Sequence, residues 1–159
     1  MAEQTTVTEK QLVVFDLAGE HYGVDIATVR EIIQMQTVTR VPGSESYVEG
    51  LINLRGVVIP VVDLRKRFGF DSVEEDKDTR IMVINSNKQD IGMIVDSVTE
   101  VLRIPADSIE PTSSVVTSGE RYLLGTAKLP DRLVILLDVA ALLGNVDPSV
   151  ADVPAEPAA

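Results

Sequence analysis

The chain has 159 residues, of which 45% are hydrophobic and only 4% aromatic, and its net charge is −11 at pH 7. Such an acidic chain repels nucleic-acid phosphates and anionic lipid headgroups, which disfavours sequence-independent binding to either. It has no cysteine, which excludes disulfides and thiolate metal sites, and residues 1–10 lack the apolar segment of a signal peptide. Since no apolar stretch approaches the ~18 residues of a membrane span, we expect a soluble, cytoplasmic protein that binds other proteins.

Short apolar runs separated by Gly, Pro, Asn and Asp fill the middle of the chain, a pattern typical of many short strands. In chain order they are QLVVFDL, HYGVDI, VREIIQM, VTRVP, GLINL, VVIPVVDL, RIMVINS, IGMIVD, VTEVLRI, SVVTS, GTAKL and RLVILLDV. VREIIQM also fits one face of a short helix, but the β-branched run VTEVLRI, which aligns with it below, favours a strand. Because the core must be built from Val, Ile and Leu, we predict an all-β fold.

The two ends of the chain differ from the middle in composition. Residues 1–10 are polar, and residues 145–159 combine prolines and alanines with no large apolar residue except valine. Such segments cannot bury enough apolar surface to order themselves. We therefore expect two flexible tails, 1–10 and 145–159, around one domain at residues 11–144.

The sequence contains an internal repeat. Residues 14–33 align with residues 83–102, and residues 47–69 align without gaps with residues 122–144. In both copies an aspartate, Asp63 or Asp138, is placed to cap a short helix that a glycine, Gly69 or Gly144, ends. We predict two similar β-subdomains related by a pseudo-two-fold axis, each with about five strands and a short helical turn.

An Arg-Gly step interrupts the most apolar part of the first copy. Arg55 and Gly56 stand where the second copy has Pro130 and Asp131, so a turn is predicted in both. Turn chemistry accounts for the glycine and leaves the arginine unexplained. Glu31 is either a polar residue on the solvated face of a strand or an ion-pair partner of Arg55 at a partner-facing surface. The apolar neighbours expected to be buried are Ile52, Leu54, Val57, Val58 and Ile59.

Residues that would support catalysis or cofactor binding are scarce. The only histidine, His21, is interpreted as a surface residue, and the acidic stretch DSVEEDKD lacks the spacing of a calcium loop. No glycine-rich phosphate loop is present, and 25 acidic against 14 basic residues disfavour a nucleic-acid-binding barrel. The basic run Arg65, Lys66 and Arg67 is interpreted as the solvated face of a short helix, with a protein contact as the alternative. We expect no enzyme, no metal and no cofactor.

The run YVEGLINLRGVVIPVVDLRKRFG resembles the chemotaxis coupling proteins, the CheW family. The resemblance extends through LVVFDLAGEHYGVDIATVREI, RIMVINSNKQDIGMIVDSVTEVL and YLLGTAKLPDRLVILLDVAALL to nearly all of residues 11–144. It implies two SH3-like five-stranded β-barrel subdomains around a shared core, in a non-catalytic cytoplasmic adaptor recruited to membrane receptor arrays. The implied partners are the cytoplasmic hairpin tip of methyl-accepting chemoreceptors and the regulatory domain of the chemotaxis histidine kinase. The alternative is a CheW-like coupling module of another two-component pathway, in motility, pili or development.

The resemblance also implies a receptor-facing groove and its supporting turns. Carried over residue by residue, they fall on Val29, Glu31, Gly50, Asn53, Arg55, Gly56, Arg80, Ile81 and Gly92. Arg80 departs from the apolar residue expected at its position. The kinase is expected at exposed strand edges at the ends of the subdomains, with no residues assigned. Because only one copy is expected to face the receptor, the second copy is predicted to lack the Glu-Arg pair.

Overall fold

The fold is described from a computed structural model, in which residues 9–43, 46–71, 73–86, 88–111 and 123–143 are described. Within these ranges the chain forms eleven strands and two short α-helices, so the all-β prediction is confirmed. Most of both predicted tails, together with Tyr122 and Gly144 of the repeat, lies outside the described residues. No helix in the described ranges is long and apolar enough to cross a membrane.

The elements follow one another in two closely similar series. They are β1 (Glu9–Leu17), β2 (Glu20–Asp25), β3 (Val29–Gln34), β4 (Val48–Leu54), β5 (Val57–Asp63), α1 (Leu64–Arg67), β6 (Arg80–Ser86), β7 (Gln89–Val95), β8 (Ser97–Pro105), β9 (Ile109–Pro111), β10 (Leu123–Lys128), β11 (Leu133–Leu137) and α2 (Val139–Leu142). Short 3₁₀ turns, Ile26–Thr28 and Ala106–Ser108, precede β3 and β9.

The strands form two sheets, each corresponding to one SH3-like barrel. The order β8-β1-β2-β11-β10-β9 defines barrel A, and the order β3-β6-β7-β5-β4 defines barrel B. Neighbouring strands pair antiparallel except β2 with β11 and β5 with β7, which are parallel. The two exceptions are equivalent under the repeat, so the predicted pseudo-two-fold relation is confirmed in the strand pairing.

The repeats and the barrels do not coincide. Each repeat gives its first hairpin to one barrel and its remaining strands to the other, so β1 and β2 pair with β8 and β11. A subdomain made from one contiguous copy, as the repeat suggests, is therefore not what forms. The repeat shows which segments are alike, whereas long-range pairing decides which of them share a sheet.

The exchange of hairpins explains why the strands are apolar on both faces. Alternate residues of β1 point into barrel A and into a core between the barrels, so LVVF reads as a continuous apolar run. The barrel A interior contains Leu12, Val14, Ile104, Ala127, Val134 and Leu136. The barrel B interior contains Ile52, Ile59, Val61, Ile81 and Val83. The inter-barrel core includes Phe15, Leu17, Tyr22, Leu64, Met82, Met93 and Leu142.

The short helices begin as predicted. The Asp63 carboxylate accepts a hydrogen bond from the Arg65 amide at 3.0 Å, and the Asp138 carboxylate accepts one from the Ala141 amide at 3.3 Å. Gly69 has φ +85° and its amide donates to the Lys66 carbonyl at 3.1 Å, which ends α1. VREIIQM, mainly in β3, is a strand, as favoured above.

The interpretation of the basic run as a solvated face is wrong. The Arg65 guanidinium donates to Asp96, and the Lys66 ammonium lies 3.1 Å from a Glu49 carboxylate oxygen. Arg67 donates from Nε to the Leu142 carbonyl at 3.0 Å and lies 5.3 Å from the centre of the Tyr47 ring. All three side chains therefore bind the chain's own groups, because the helix packs into the junction between the barrels.

Candidate functional site

The Arg-Gly step forms a tight hairpin turn between β4 and β5. Arg55 has φ +54° and Gly56 has φ +88°, and the flanking Leu54 and Val57 pair across the hairpin. Two successive residues with positive φ define a type I′ turn, which matches the twist of the strands and prefers Asn-Gly. The Asn53 side-chain oxygen accepts a hydrogen bond from the Gly56 amide at 2.7 Å. The arginine thus occupies a left-handed position at a steric cost of roughly 1 kcal/mol.

The turn brings Arg55 to the carboxylate of Glu31, where its Nη2 donates to Oε2. Glu31 shares a strand face with Ile33, whose side chain packs on the barrel B interior. The Glu31 side chain therefore lies on the same face of β3 as this interior, and at 32% exposure it still reaches water. Because the arginine side chain is 70% exposed, the pair should add only ~0–1 kcal/mol to folding. The predicted pairing of these residues is present.

The second barrel carries an equivalent pair, so the prediction that the second copy lacks it is wrong. Glu100, which aligns with Glu31, forms an ion pair with Arg132. Arg132 aligns with Val57 and not with Arg55. Pro130 stands at the position of Arg55, and because proline fixes φ at a negative value, a type I′ turn cannot form at that position. The arginine of the second copy therefore lies two positions further along its hairpin than Arg55 does in the first. A position-by-position alignment of the two copies does not reveal this shift.

Exposed apolar side chains lie on β3 and β5, although Ile32 is on the face of β3 opposite Glu31. Val57 is 58% exposed, Val58 is 44% exposed and Ile32 is 41% exposed. The expected burial of Val57 and Val58 is therefore wrong: Val57 directly follows the turn, and Val58 pairs with Asn53 on the outer face of the hairpin. Sequence reasoning missed these residues because a uniform apolar run does not show which face is covered.

Three of the candidate receptor residues lie inside the barrel wall. Ile81 is fully buried, and a Cβ on Gly92 would lie 2.8 Å from its Cγ2 atom. A Cβ on Gly50 would lie 2.1 Å from the Thr39 carbonyl oxygen. These residues allow β4, β6 and β7 to approach their neighbours closely. They can therefore affect an exposed surface only by setting the positions of the strands that form it.

The remaining two candidates lie away from the hairpin turn. Val29 begins β3, half-buried against the inter-barrel core. Arg80 pairs with Gln34 at the far end of the same strand, and its Nη1 donates to the carbonyls of Lys77 at 2.8 Å and Thr79 at 2.9 Å. The structure thus brings Glu31, Asn53, Arg55 and Gly56 together, with Val29 and Arg80 at the two ends of β3.

The only histidine belongs to a cross-strand pair. His21 Nδ1 lies 2.6 Å from an Asp16 carboxylate oxygen, and both side chains are 32% exposed. The two residues pair directly across the β1–β2 hairpin. In the described part of the chain, no cluster of three or more His, Asp or Glu side chains could hold a metal ion.

An acidic cavity of about 350 Å³ lies beside α1, lined among others by Glu49, Asp63, Arg65 and Asp96. Burial, and then the nearby Glu49 carboxylate, raise the pKa of Asp63 above its usual value of 3.8. Its folded-state pKa therefore exceeds its unfolded-state pKa, so the ionised form at neutral pH opposes folding. Sequence reasoning did not identify this group of charges, because its members come from separate segments of the chain.

Replacing Asp63 with asparagine should raise the free energy of unfolding at pH 7 slightly, because solvent screens much of the repulsion at this half-buried carboxylate. The substitution Asp63→Asn retains a good helix cap and removes the charge. Its advantage should vanish as the pH falls through the raised pKa towards 3.8, which urea unfolding at several pH values would measure. Asp138→Asn is the control, since the equivalent of Glu49 there is the uncharged Leu124. An equal loss of stability at pH 7 and pH 4 would contradict the prediction.

Comparison with known proteins identifies similar sequences and a similar structure. Residues 11–147 match the family model of the CheW-like domain. The chain is 35% identical over 144 residues to the chemotaxis protein CheW of Klebsiella aerogenes, covering 90% of this chain and 87% of that protein. It is 36% identical over 137 residues to the chemotaxis protein CheW of Bacillus subtilis, covering 86% and 88%. The crystal structure of the scaffolding protein TtCheW from Thermoanaerobacter tengcongensis superimposes with a TM-score of 0.80 at 41% identity, covering 86% of this chain and 93% of that one.

Proposed function

The chain belongs to the family of CheW-like domains, a family of non-catalytic chemotaxis adaptors, and from this premise we propose that it couples methyl-accepting chemoreceptors to the chemotaxis histidine kinase. One surface binds the cytoplasmic hairpin tip of the receptor. Another binds the regulatory domain of the kinase. The protein acts in the cytoplasm and is recruited to receptor arrays at the membrane. We also propose that residues 11–144 act as one unit, with both barrels needed for the two contacts.

The observation that carries the proposal is the exposed Glu31–Arg55 pair at the β4–β5 hairpin of barrel B, which also exposes the apolar side chains of Val57 and Val58. An arginine in a turn that leads directly into the exposed Val57 and Val58 has the composition of a protein-binding site, where such residues become anchors once water is excluded. The left-handed backbone at Arg55 adds support. Asparagine would fold more favourably at this position, so the arginine is best explained by recognition.

The candidate receptor residues have different roles in this proposal. Glu31 and Arg55 contact the receptor, and Asn53 and Gly56 form the turn that presents the arginine. Val29 and Arg80 contribute to the ends of the same surface along β3. Gly50, Ile81 and Gly92 hold the underlying strands at the close spacing that the surface needs.

We assign the kinase contact to barrel A, which exposes apolar residues of its own. Val101 is 54% exposed, Leu124 is 52% exposed and Leu133 is 48% exposed. Val101 and Leu133 are the repeat equivalents of Ile32 and Val58 on barrel B. The pseudo-two-fold relation therefore gives the adaptor two comparable surfaces on opposite barrels, which lets two partners bind at the same time. In an array, many such contacts of modest strength reinforce each other.

The proposal is tested by titrating the purified full-length chain with a chemoreceptor cytoplasmic hairpin and, separately, with the kinase regulatory domain. We expect binding to each, and a three-component complex when both are present. Absence of binding to both, with a folded protein by circular dichroism, would contradict the proposal. Binding of the kinase domain alone would remove the receptor contact and favour a coupling module of another two-component pathway.

A further inference from the structure

The chain crosses between the barrels at two places among the described strands. It passes from β2 to β3 through the 3₁₀ turn Ile26–Thr28, and from β7 to β8 through Asp96. The repeat relates the two crossings, because Ala27 aligns with Asp96. Every other connection between described strands begins and ends in the same barrel. These two crossings, the apolar core between the sheets and the hydrogen bond from Arg67 in α1 to the Leu142 carbonyl in α2 therefore set how the barrels are oriented.

The second crossing is tied to both barrels through one carboxylate. Asp96 accepts hydrogen bonds from Arg65 Nε at 2.9 Å and Arg65 Nη2 at 2.7 Å, and also from the Ala18 amide at 2.9 Å. Arg65 belongs to α1, directly after β5 of barrel B, whereas Ala18 lies in the β1–β2 turn of barrel A. The Asp96 amide donates to the Asp16 carbonyl at 3.1 Å, which adds a second tie to barrel A.

The first crossing has methyl groups at the equivalent positions. Ala27 replaces Asp96 and Ala140 replaces Arg65, and an alanine methyl forms neither a hydrogen bond nor an ion pair. The side-chain hydrogen bonds of the 3₁₀ turn at this crossing are local. The Asp25 carboxylate accepts from the Ala27 amide at 2.9 Å, and the Thr28 hydroxyl donates to the Asp25 carbonyl at 2.7 Å. A cavity of about 300 Å³ lies beside this crossing, lined in part by Thr28 and Ala140.

These differences give the two crossings different mechanical properties. Apolar contact across the inter-barrel core is non-directional and tolerates small sliding of one sheet over the other. A bidentate arginine–carboxylate pair is directional and fixes a geometry. The Arg65 and Asp96 side chains are only 17% and 29% exposed, so solvent screens the pair less than a surface pair. We propose that Arg65 and Asp96 form a one-sided clamp that sets the angle between the two barrels.

The clamp is tested by measuring the distance between the barrels in the full-length chain. The natural sequence has no cysteine, so spin labels can be attached at Arg40→Cys beside barrel B and Lys128→Cys on barrel A. Both side chains are well exposed, at 77% and 72%. We expect one narrow distance with the clamp intact and a broadened or shifted distribution in Asp96→Asn. Arg65→Lys keeps the charge but loses the bidentate geometry and should broaden the distribution as well.

Lys66→Gln is the matched control, because Lys66 pairs with Glu49 within barrel B and does not join the barrels. Its distance distribution should equal that of the protein with the clamp intact. Equal distributions in Asp96→Asn, Arg65→Lys and Lys66→Gln would overturn the proposal. Loss of folding in both clamp variants, with Lys66→Gln folded, would overturn it too, since the pair would then be a requirement for folding.

Discussion

Replacing Gly50 with alanine is expected to lower the free energy of unfolding by about 3 kcal/mol or more, because the new methyl group has no space. The added Cβ would lie 2.1 Å from the Thr39 carbonyl oxygen and 2.7 Å from the Thr39 carbonyl carbon. These are backbone atoms, which cannot rotate away as a flexible side chain can. Thr39 and Leu51 exchange two hydrogen bonds of 2.8 Å, so relieving the clash would break the bridge that joins this segment to β4.

Gly56→Ala is the control at the other end of the same hairpin. Gly50 and Gly56 both have a positive φ, +150° and +88°, but the added Cβ of Gly56 would meet no atom within 4 Å. Its cost should be confined to backbone strain, about 1 kcal/mol. Urea unfolding of the two variants measures the difference. Equal stabilities for Gly50→Ala and Gly56→Ala would contradict the described approach of Thr39 to β4.

Replacing Arg132 with alanine is expected to cost about 2 kcal/mol of folding stability, whereas replacing Arg55 should cost no more than about 1 kcal/mol. The two arginines pair with equivalent glutamates, Glu100 and Glu31. Arg132 is 22% exposed and Arg55 is 70% exposed, so water replaces the lost contacts more readily at Arg55.

Thermal and urea unfolding of Arg132→Ala and Arg55→Ala at low and high salt would test this comparison. Added salt should diminish the smaller Arg55 effect more, because exposed charges are screened first. An Arg55→Ala variant that is less stable than Arg132→Ala would show that the more exposed arginine supports the fold more than the less exposed one. It would also weaken the argument that Arg55 is retained for binding.

Much of the architecture can be predicted because local patterns carry it. Short apolar runs broken by turn residues predict strands, and the cap positions of Asp63 and Asp138 predict both short helices. Glycine at equivalent punctuation positions predicts the repeat, and Gly50 and Gly125 indeed lie at equivalent bulges next to close backbone contacts. The pairing of Glu31 with Arg55, one of the two alternatives for Glu31, is also present, although 24 positions separate the two residues.

Features that depend on long-range contacts could not be predicted in the same way. The exchange of hairpins between barrels leaves no local pattern, since both hairpins are equally apolar. The exposure of Val57 and Val58 depends on the lack of a covering element, and the Glu100–Arg132 pair depends on a shifted arginine. The clamp between Arg65 and Asp96 joins residues that lie far apart in sequence. In the sequence, Arg65 stands out only as part of the basic run Arg65, Lys66 and Arg67.

The most direct test of the adaptor account is a titration of a chemoreceptor cytoplasmic hairpin with the natural chain and with Arg55→Asn. The substitution creates an Asn-Gly step, which suits the type I′ turn, so the variant should be at least as stable as the natural chain. The account predicts receptor binding weakened about tenfold or more, with unchanged binding to the kinase regulatory domain. Unchanged receptor binding, or a loss of stability without a loss of binding, would contradict the role assigned to Arg55.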